Sequence, residues 1–144
     1  MEKIKYYVNE EKRTVMCVIR DTERRLADFV RSNAIFNPVY QYTTYSGRED
    51  ALRKLRKMLY LPNQFVGKAT CSPDDEWNEE TGRYIAYARA KEKYDKCFFR
   101  HVQKYFDQLD LEFNNFADRI NKYGAVLSKN IERRDKKVQE LIGK

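Results

Sequence analysis

In the second half of the chain, apolar residues recur at Phe98, Val102, Tyr105, Leu109, Phe113, Phe116 and Ile120, with spacings of 4, 3, 4, 4, 3 and 4 residues. That spacing places them on one stripe of a helix. No Pro or Gly interrupts the chain between Arg83 and Tyr123, so the pattern predicts a helix of roughly 40 residues, about 60 Å long at 1.5 Å per residue. A rod of that length needs a partner for its stripe. Gly124 is the first residue able to cap it in the left-handed conformation, and Leu127, Ile131, Val138 and Leu141 resume the pattern beyond it. Either the chain turns back at Gly124 as a helical hairpin, or one rod continues and tolerates the glycine at about 1 kcal/mol relative to Ala. The hairpin is the expectation.

The first half alternates instead. Ile4, Tyr6 and Val8 interleave with more polar neighbours, Asn9 to Lys12 suits a turn, and Thr14 to Ile19 is rich in β-branched residues, which predicts an opening β-hairpin. Asp21 and Thr22 can cap a short helix that buries Leu26, Phe29 and Val30 and ends near Asn33, before the Asn37-Pro38 break. Residues 39–45 fit either an edge strand or an aromatic loop. Ser46-Gly47-Arg48-Glu49 has capping-box spacing, so a second helix is expected from there to Pro62, burying Leu52, Leu55 and Leu59. Phe65 to Cys71 alternates as a third strand, with Phe65, Gly67, Ala69 and Cys71 on one side and Val66, Lys68 and Thr70 on the other. Ser72-Pro73-Asp74-Asp75 reads as the start of the long helix, with carboxylates at the positive end of its dipole. Ile85 and Ala88 are its expected contacts to the sheet.

These elements predict an α+β protein: a small antiparallel sheet with short helices over residues 1–90, then a helical, coiled-coil-like extension over 91–144 continuous with the last helix of the first domain. At 144 residues the chain can bury one modest core. Three cysteines, Cys17, Cys71 and Cys97, are odd in number and widely spaced, which argues against a disulfide framework or a zinc ribbon and for a reducing compartment. There is no signal-peptide pattern and no apolar run of membrane-spanning length, so a cytoplasmic, membrane-free protein is expected. The formal charge of +7 is uneven. Residues 1–70 carry 14 Lys or Arg against 8 Asp or Glu, 14 − 8 = +6, and residues 71–144 carry 15 against 14, 15 − 14 = +1.

The segment from Phe65 to Ala90 resembles a strand-to-helix pattern of small uncharacterised bacterial and phage proteins with a double-stranded-RNA-binding-like fold. The matching positions are Gly67, Ala69, Cys71, Pro73, Asp75, Glu76, Gly82, Ile85, Ala86, Arg89 and Ala90, with Trp77 at a usual aromatic position. The resemblance implies a sheet packed on a helix and a phage-type origin, hence the cytoplasm of a bacterial host, but no chemistry. A double-stranded-RNA module would place lysines at the start of that helix. Here Asp74, Asp75, Glu76, Glu79 and Glu80 stand there instead, and they would repel phosphate.

Little in the chain suggests catalysis. Cys97 and His101 share a helix face, but His101 is the only histidine, so neither a zinc site nor an activated thiolate is expected. The acidic run lacks the alternation and glycine of a calcium loop, and no glycine-rich phosphate loop is present. No catalytic residue, metal or cofactor is expected. The best binding candidate is the basic cluster Arg53, Lys54, Arg56 and Lys57 with Tyr60, since cations neutralise phosphates and tyrosines stack on bases or anchor protein contacts. The leading expectation is a non-enzymatic binding protein, a phage-type inhibitor of a nucleic-acid-guided bacterial defence system that obstructs a macromolecular machine by protein contact. The alternatives are a nucleic-acid-binding regulator using the Arg53–Lys57 helix and an oligomeric sponge for a nucleotide signal. Homo-oligomerisation through the Phe98–Ile120 stripe is expected in each case.

Overall fold

A computed structural model describes residues 1–33 and 50–143. The fold is α+β. Strands β1 (Lys3–Asn9), β2 (Thr14–Arg20) and β3 (Gln64–Thr70) form an antiparallel sheet in the order β1-β2-β3. Helices α1 (Arg25–Ser32) and α2 (Asp50–Met58) lie between β2 and β3 in sequence, and α3 runs from Glu79 to Ile142. The chain divides into two compact units, Met1–Phe106 and Asp107–Lys144. The expected β1-β2 hairpin forms, with Lys12 N–H donating to Asn9 Oδ1 at 2.9 Å in its turn and Arg13 held at φ 51°. The choice between strand and loop for residues 39–45, the Ser46–Glu49 cap, and the side chains of Leu52 and Lys54 fall outside the described residues.

Alternation along the strands gives the sheet one apolar inner face. Val15, Cys17, Ile19 and Ala69 are buried there against Ala86 and Ala90 of α3, with Tyr6, Trp77 and Tyr87 packed around them. The expected contacts Ile85 and Ala88 are exposed instead. The contacting row is Gly82, Ala86 and Ala90, spaced four apart on one helix face. Small residues are required because the helix lies almost on the strand. A Cβ added at Gly67 would come under 3.0 Å from the Ala86 carbonyl oxygen and the Ala90 nitrogen, and one at Gly82 would meet Val15 Cγ2 at 2.8 Å.

Along the same row the side chains then grow. Tyr94 packs against Phe65 with tilted rings and centroids 5.2 Å apart, Tyr94 meets Phe98 at 6.2 Å, and Phe98 meets Phe29 of α1 at 5.8 Å. Each such pair contributes about 0.5–1.5 kcal/mol beyond its buried area. Leu26, Val30, Leu55, Leu59 and Leu61 fill the space this opens. His101 Nδ1 lies 3.0 Å from the Met58 carbonyl and ties α2 to α3. Two cations on α3 also reach the outer edge of β3: Arg89 donates to the Lys68 carbonyl at 2.7 Å and Lys93 to the Val66 carbonyl at 2.8 Å.

Two helix boundaries differ from expectation. Ser72–Asp75 is a turn closed by Asp75 N–H to the Ser72 carbonyl at 3.1 Å, and α3 starts at Glu79 with Asn78 as its cap, Thr81 N–H donating to Asn78 Oδ1 at 2.9 Å. The turn is held from a distance, because the Arg13 guanidinium donates to the Pro73 and Asp75 carbonyls and to Cys71 Sγ. At the other end, α3 passes straight through Gly124, so the expected hairpin does not form. Among the described residues no glycine adopts positive φ, and nothing lies within 4 Å of a Cβ built at Gly124. A helical glycine costs only about 1 kcal/mol, too little to end a helix with good formers on both sides.

The two glycines therefore respond oppositely to alanine. Gly67→Ala should lower stability by about 2 kcal/mol or more, since backbone rather than a flexible side chain must give way. Gly124→Ala should raise helical stability by about 1 kcal/mol. Urea denaturation followed by circular dichroism measures both; equal effects of the two substitutions would contradict the packing described.

Candidate nucleic-acid interface

The pleat that sends Val15, Cys17 and Ile19 inward sends Thr14, Met16, Val18 and Arg20 outward. The strand register then assembles the outer face in rows: Lys3 with Arg20 and Gln64, Lys5 with Val18 and Val66, Tyr7 with Met16 and Lys68, Asn9 with Thr14 and Thr70. The three helices join one another on the inner side, through the Phe29–Phe98 and His101–Met58 contacts. The outer face thus carries four cations and no carboxylate of its own.

Arg20 and Lys5 converge on Tyr7. Arg20 Nη2 donates to the Tyr7 hydroxyl at 3.3 Å, and Lys5 Nζ sits 5.0 Å from the Tyr7 ring centroid. Val18, in the row between Arg20 and Tyr7, is 4% exposed. Lys3 is partly neutralised by Asp21, 3.0 Å away, and this contact holds the Asp21 carboxyl below its ordinary range. Lys5, Arg20 and Lys68 have no carboxylate partner among the described residues. Tyr7 and Met16 are more than a third exposed between them. The arrangement offers a stackable ring and an apolar centre inside a rim of cations.

The predicted basic cluster lies elsewhere. On α2, Arg53 and Lys57 are exposed, Arg56 is half-buried, and Leu55 and Leu59 point into the core; Tyr60 follows the helix and is 44% exposed. These groups sit in the helical layer and form a surface separate from the outer sheet face. The face itself escaped the sequence reading because its cations come from three strands and only strand register brings them together. The alternation Lys3, Lys5, Tyr7 and the polar side of β3 were the available signal.

The predicted stripe divides. Phe98 and Val102 are half-buried and Tyr105 and Leu109 buried, whereas Phe113, Phe116 and Ile120 are half-exposed. Cys97 is half-buried on α3 and His101 Nδ1 is engaged with the Met58 carbonyl. Among the described residues no group of three or more His, Cys, Asp or Glu could hold a metal ion, and no helix is long and apolar enough to cross a membrane. A cavity of about 280 Å³ lies between the end of β3 and the start of α3, lined by Ala69, Cys71, Trp77, Asn78, Gly82 and Ile85. It falls below the usual range for small-molecule sites, roughly 300–1,000 Å³. The exposed carboxylates Asp75 and Glu76 also line it, so phosphate is disfavoured there. Compared with protein-family models, with curated proteins and with solved structures, the chain matches none.

Titratable groups beneath the sheet make the fold sensitive to alkali. Burial pushes the Cys17 thiol above its ordinary 9.0, and burial together with Cys17 pushes the facing Tyr6 above 10.0. Burial, followed by the nearby Glu2 carboxyl, raises Tyr94 further. In each case the folded protein holds the proton more tightly than the unfolded chain does. The associated stability is complete below about pH 9 and declines as pH rises through 9 and 10. The urea midpoint should accordingly be lower at pH 10.5 than at pH 7.5; an unchanged midpoint would show that these groups titrate freely in the fold.

Proposed function

We propose that the protein acts by binding rather than by chemistry, that the outer face of the sheet is its contact surface, and that its ligand is a nucleic acid. The observation that carries this is the unneutralised set Lys5, Arg20 and Lys68 around Tyr7 on one rigid sheet face. Cations fixed on strands can neutralise consecutive phosphates, and the Tyr7 ring between them can stack on an unpaired base. An open sheet suits a single strand better than a duplex, because a flat face enters neither groove. The Arg53, Arg56 and Lys57 surface extends the positive field of the first unit and steers a polyanion without forming part of the platform.

A protein partner is the second reading, as in an inhibitor that obstructs a nucleic-acid-guided defence complex. The apolar centre of the same face, Tyr7 with Met16 and Val66, supports it, since an apolar core inside a charged rim is the layout of protein interfaces. Nuclease treatment separates the two readings, because it abolishes retention of a nucleic acid and spares that of a protein.

Fluorescence anisotropy with labelled single-stranded RNA and DNA tests the proposal. The triple variant Lys5→Gln/Arg20→Gln/Lys68→Gln should bind weakly across all sequences. Its log-log salt dependence should be shallower by about 2, near 0.7 for each lost phosphate contact. Unaltered binding in this variant, together with loss in Arg53→Gln/Arg56→Gln/Lys57→Gln, would move the interface to α2.

A further inference from the structure

The second unit is helical to Ile142, and seven of its exposed apolar positions form one narrow stripe, with Leu111 and Val126 lying off it. Phe116, Ile120, Tyr123, Leu127, Ile131, Val138 and Leu141 are each about half-exposed or more, Leu127 least at 41%. With 100° per residue they fall within about 80° of one another, the width of a seam between two helices rather than of a face buried in a globular core. Tyr123 and Leu141 are 141 − 123 = 18 residues apart, which is about five turns of 3.6, so the stripe runs straight along the helix without demanding supercoiling.

Charge is distributed antisymmetrically along the same unit. Residues 107–124 carry Arg119 and Lys122 against Asp107, Asp110, Glu112 and Asp118, 2 − 4 = −2. Residues 125–143 carry Lys129, Arg133, Arg134, Lys136 and Lys137 against Glu132, Asp135 and Glu140, 5 − 3 = +2. A second copy laid parallel sets like charge on like throughout. A second copy laid antiparallel sets each acidic half on a basic half.

Arg134 decides in the same direction, since it occupies a stripe position between Ile131 and Val138. In a parallel, in-register pair it would meet its own counterpart inside the seam. When residue i of one copy faces residue 250 − i or 251 − i of the other, Arg134 faces the ring of Phe116, where a guanidinium is attracted. In that register Ile120 faces Ile131, Tyr123 faces Leu127, and Glu112 comes beside Lys137. The sum 107 + 143 = 250 means that this register is the full-length overlap of the second unit with itself.

We infer that the second unit pairs with the second unit of another copy of this chain as an antiparallel two-helix seam, giving a two-fold symmetric homodimer. The inference goes beyond the nucleic-acid reading and uses none of its residues.

The full-length chain tests it. Sedimentation equilibrium at tens of micromolar should return a dimer, twice 17.4 kDa. A spin label on Gln139→Cys, in a Cys71→Ser/Cys97→Ser background that leaves only the buried Cys17, should then report a separation of about 40 Å, from ~27 residues at 1.5 Å. A parallel pair would give about 10–15 Å, near one helix spacing. Ile120→Glu/Ile131→Glu should produce a monomer with the Trp77 fluorescence of the parent, which shows that the first unit is still folded. A monomeric parent, a short label separation, or a dimer that survives the double substitution would each overturn the inference.

Discussion

The closeness of β3 and α3 governs the geometry of the first unit. Gly67 has no side chain, and the backbone of Ala86 and Ala90 occupies the space one would fill. That contact sets the depth of the helix, and the row it belongs to widens in regular steps: Gly82, Ala86 and Ala90 are small, Tyr94 and Phe98 large. Helix and sheet are therefore in near contact at one end and a ring's thickness apart at the other. The wide end receives α1 through Phe29 and α2 through His101. Stability and shape come from the same gradient of side-chain volume, and close packing makes such a gradient costly to alter at any step.

Among the described residues the helices pack on one side of the three-stranded sheet, and Tyr7 and Met16 on the other side are exposed. Val15, Cys17 and Ile19 take the covered side, so the pleat assigns Lys5, Arg20 and Lys68 to the opposite one with no freedom to rearrange their Cα positions. The charged side chains move, but their anchors are fixed at strand spacing. This separates the sheet cations from Arg53 and Lys57, which are exposed on a short helix.

Much of the architecture was legible because it is local. Alternation in Ile4 to Val8 and in Phe65 to Cys71 and the β-branched run Thr14 to Ile19 marked the three strands, and the spacing of Leu26 and Val30 and of Leu55 and Leu59 marked two helices. What escaped depends on distant residues or on fit. The start of α3 is displaced from Ser72 to Glu79 because Arg13, some 60 residues earlier, holds Pro73 and Asp75 in a turn. The inner row of α3 was misread because Ile85 is more apolar than Gly82 or Ala86, whereas the site opposite Gly67 selects for size. The continuation through Gly124 reflects energy: one glycine is a weak stop when nothing competes for the chain that follows. The outer face was invisible until register placed Lys5, Arg20 and Lys68 together.

The reach of Arg89 and Lys93 to the carbonyls of β3 has a consequence for what the sheet cannot do. An edge strand with unclaimed carbonyls is a template for another strand, the first step of edge-to-edge aggregation or of capture by an extended peptide. Four residues of helix rise by about 6 Å and two residues of strand by about 6.7 Å, so side chains one helical turn apart can occupy two successive outward carbonyls. The helix that packs the sheet thereby closes one of its borders, and a strand seeking to join would have to displace two cationic hydrogen bonds. Among the described residues the other border is β1, lined with Lys3 and Lys5, and its like charges discourage pairing with a second copy of itself.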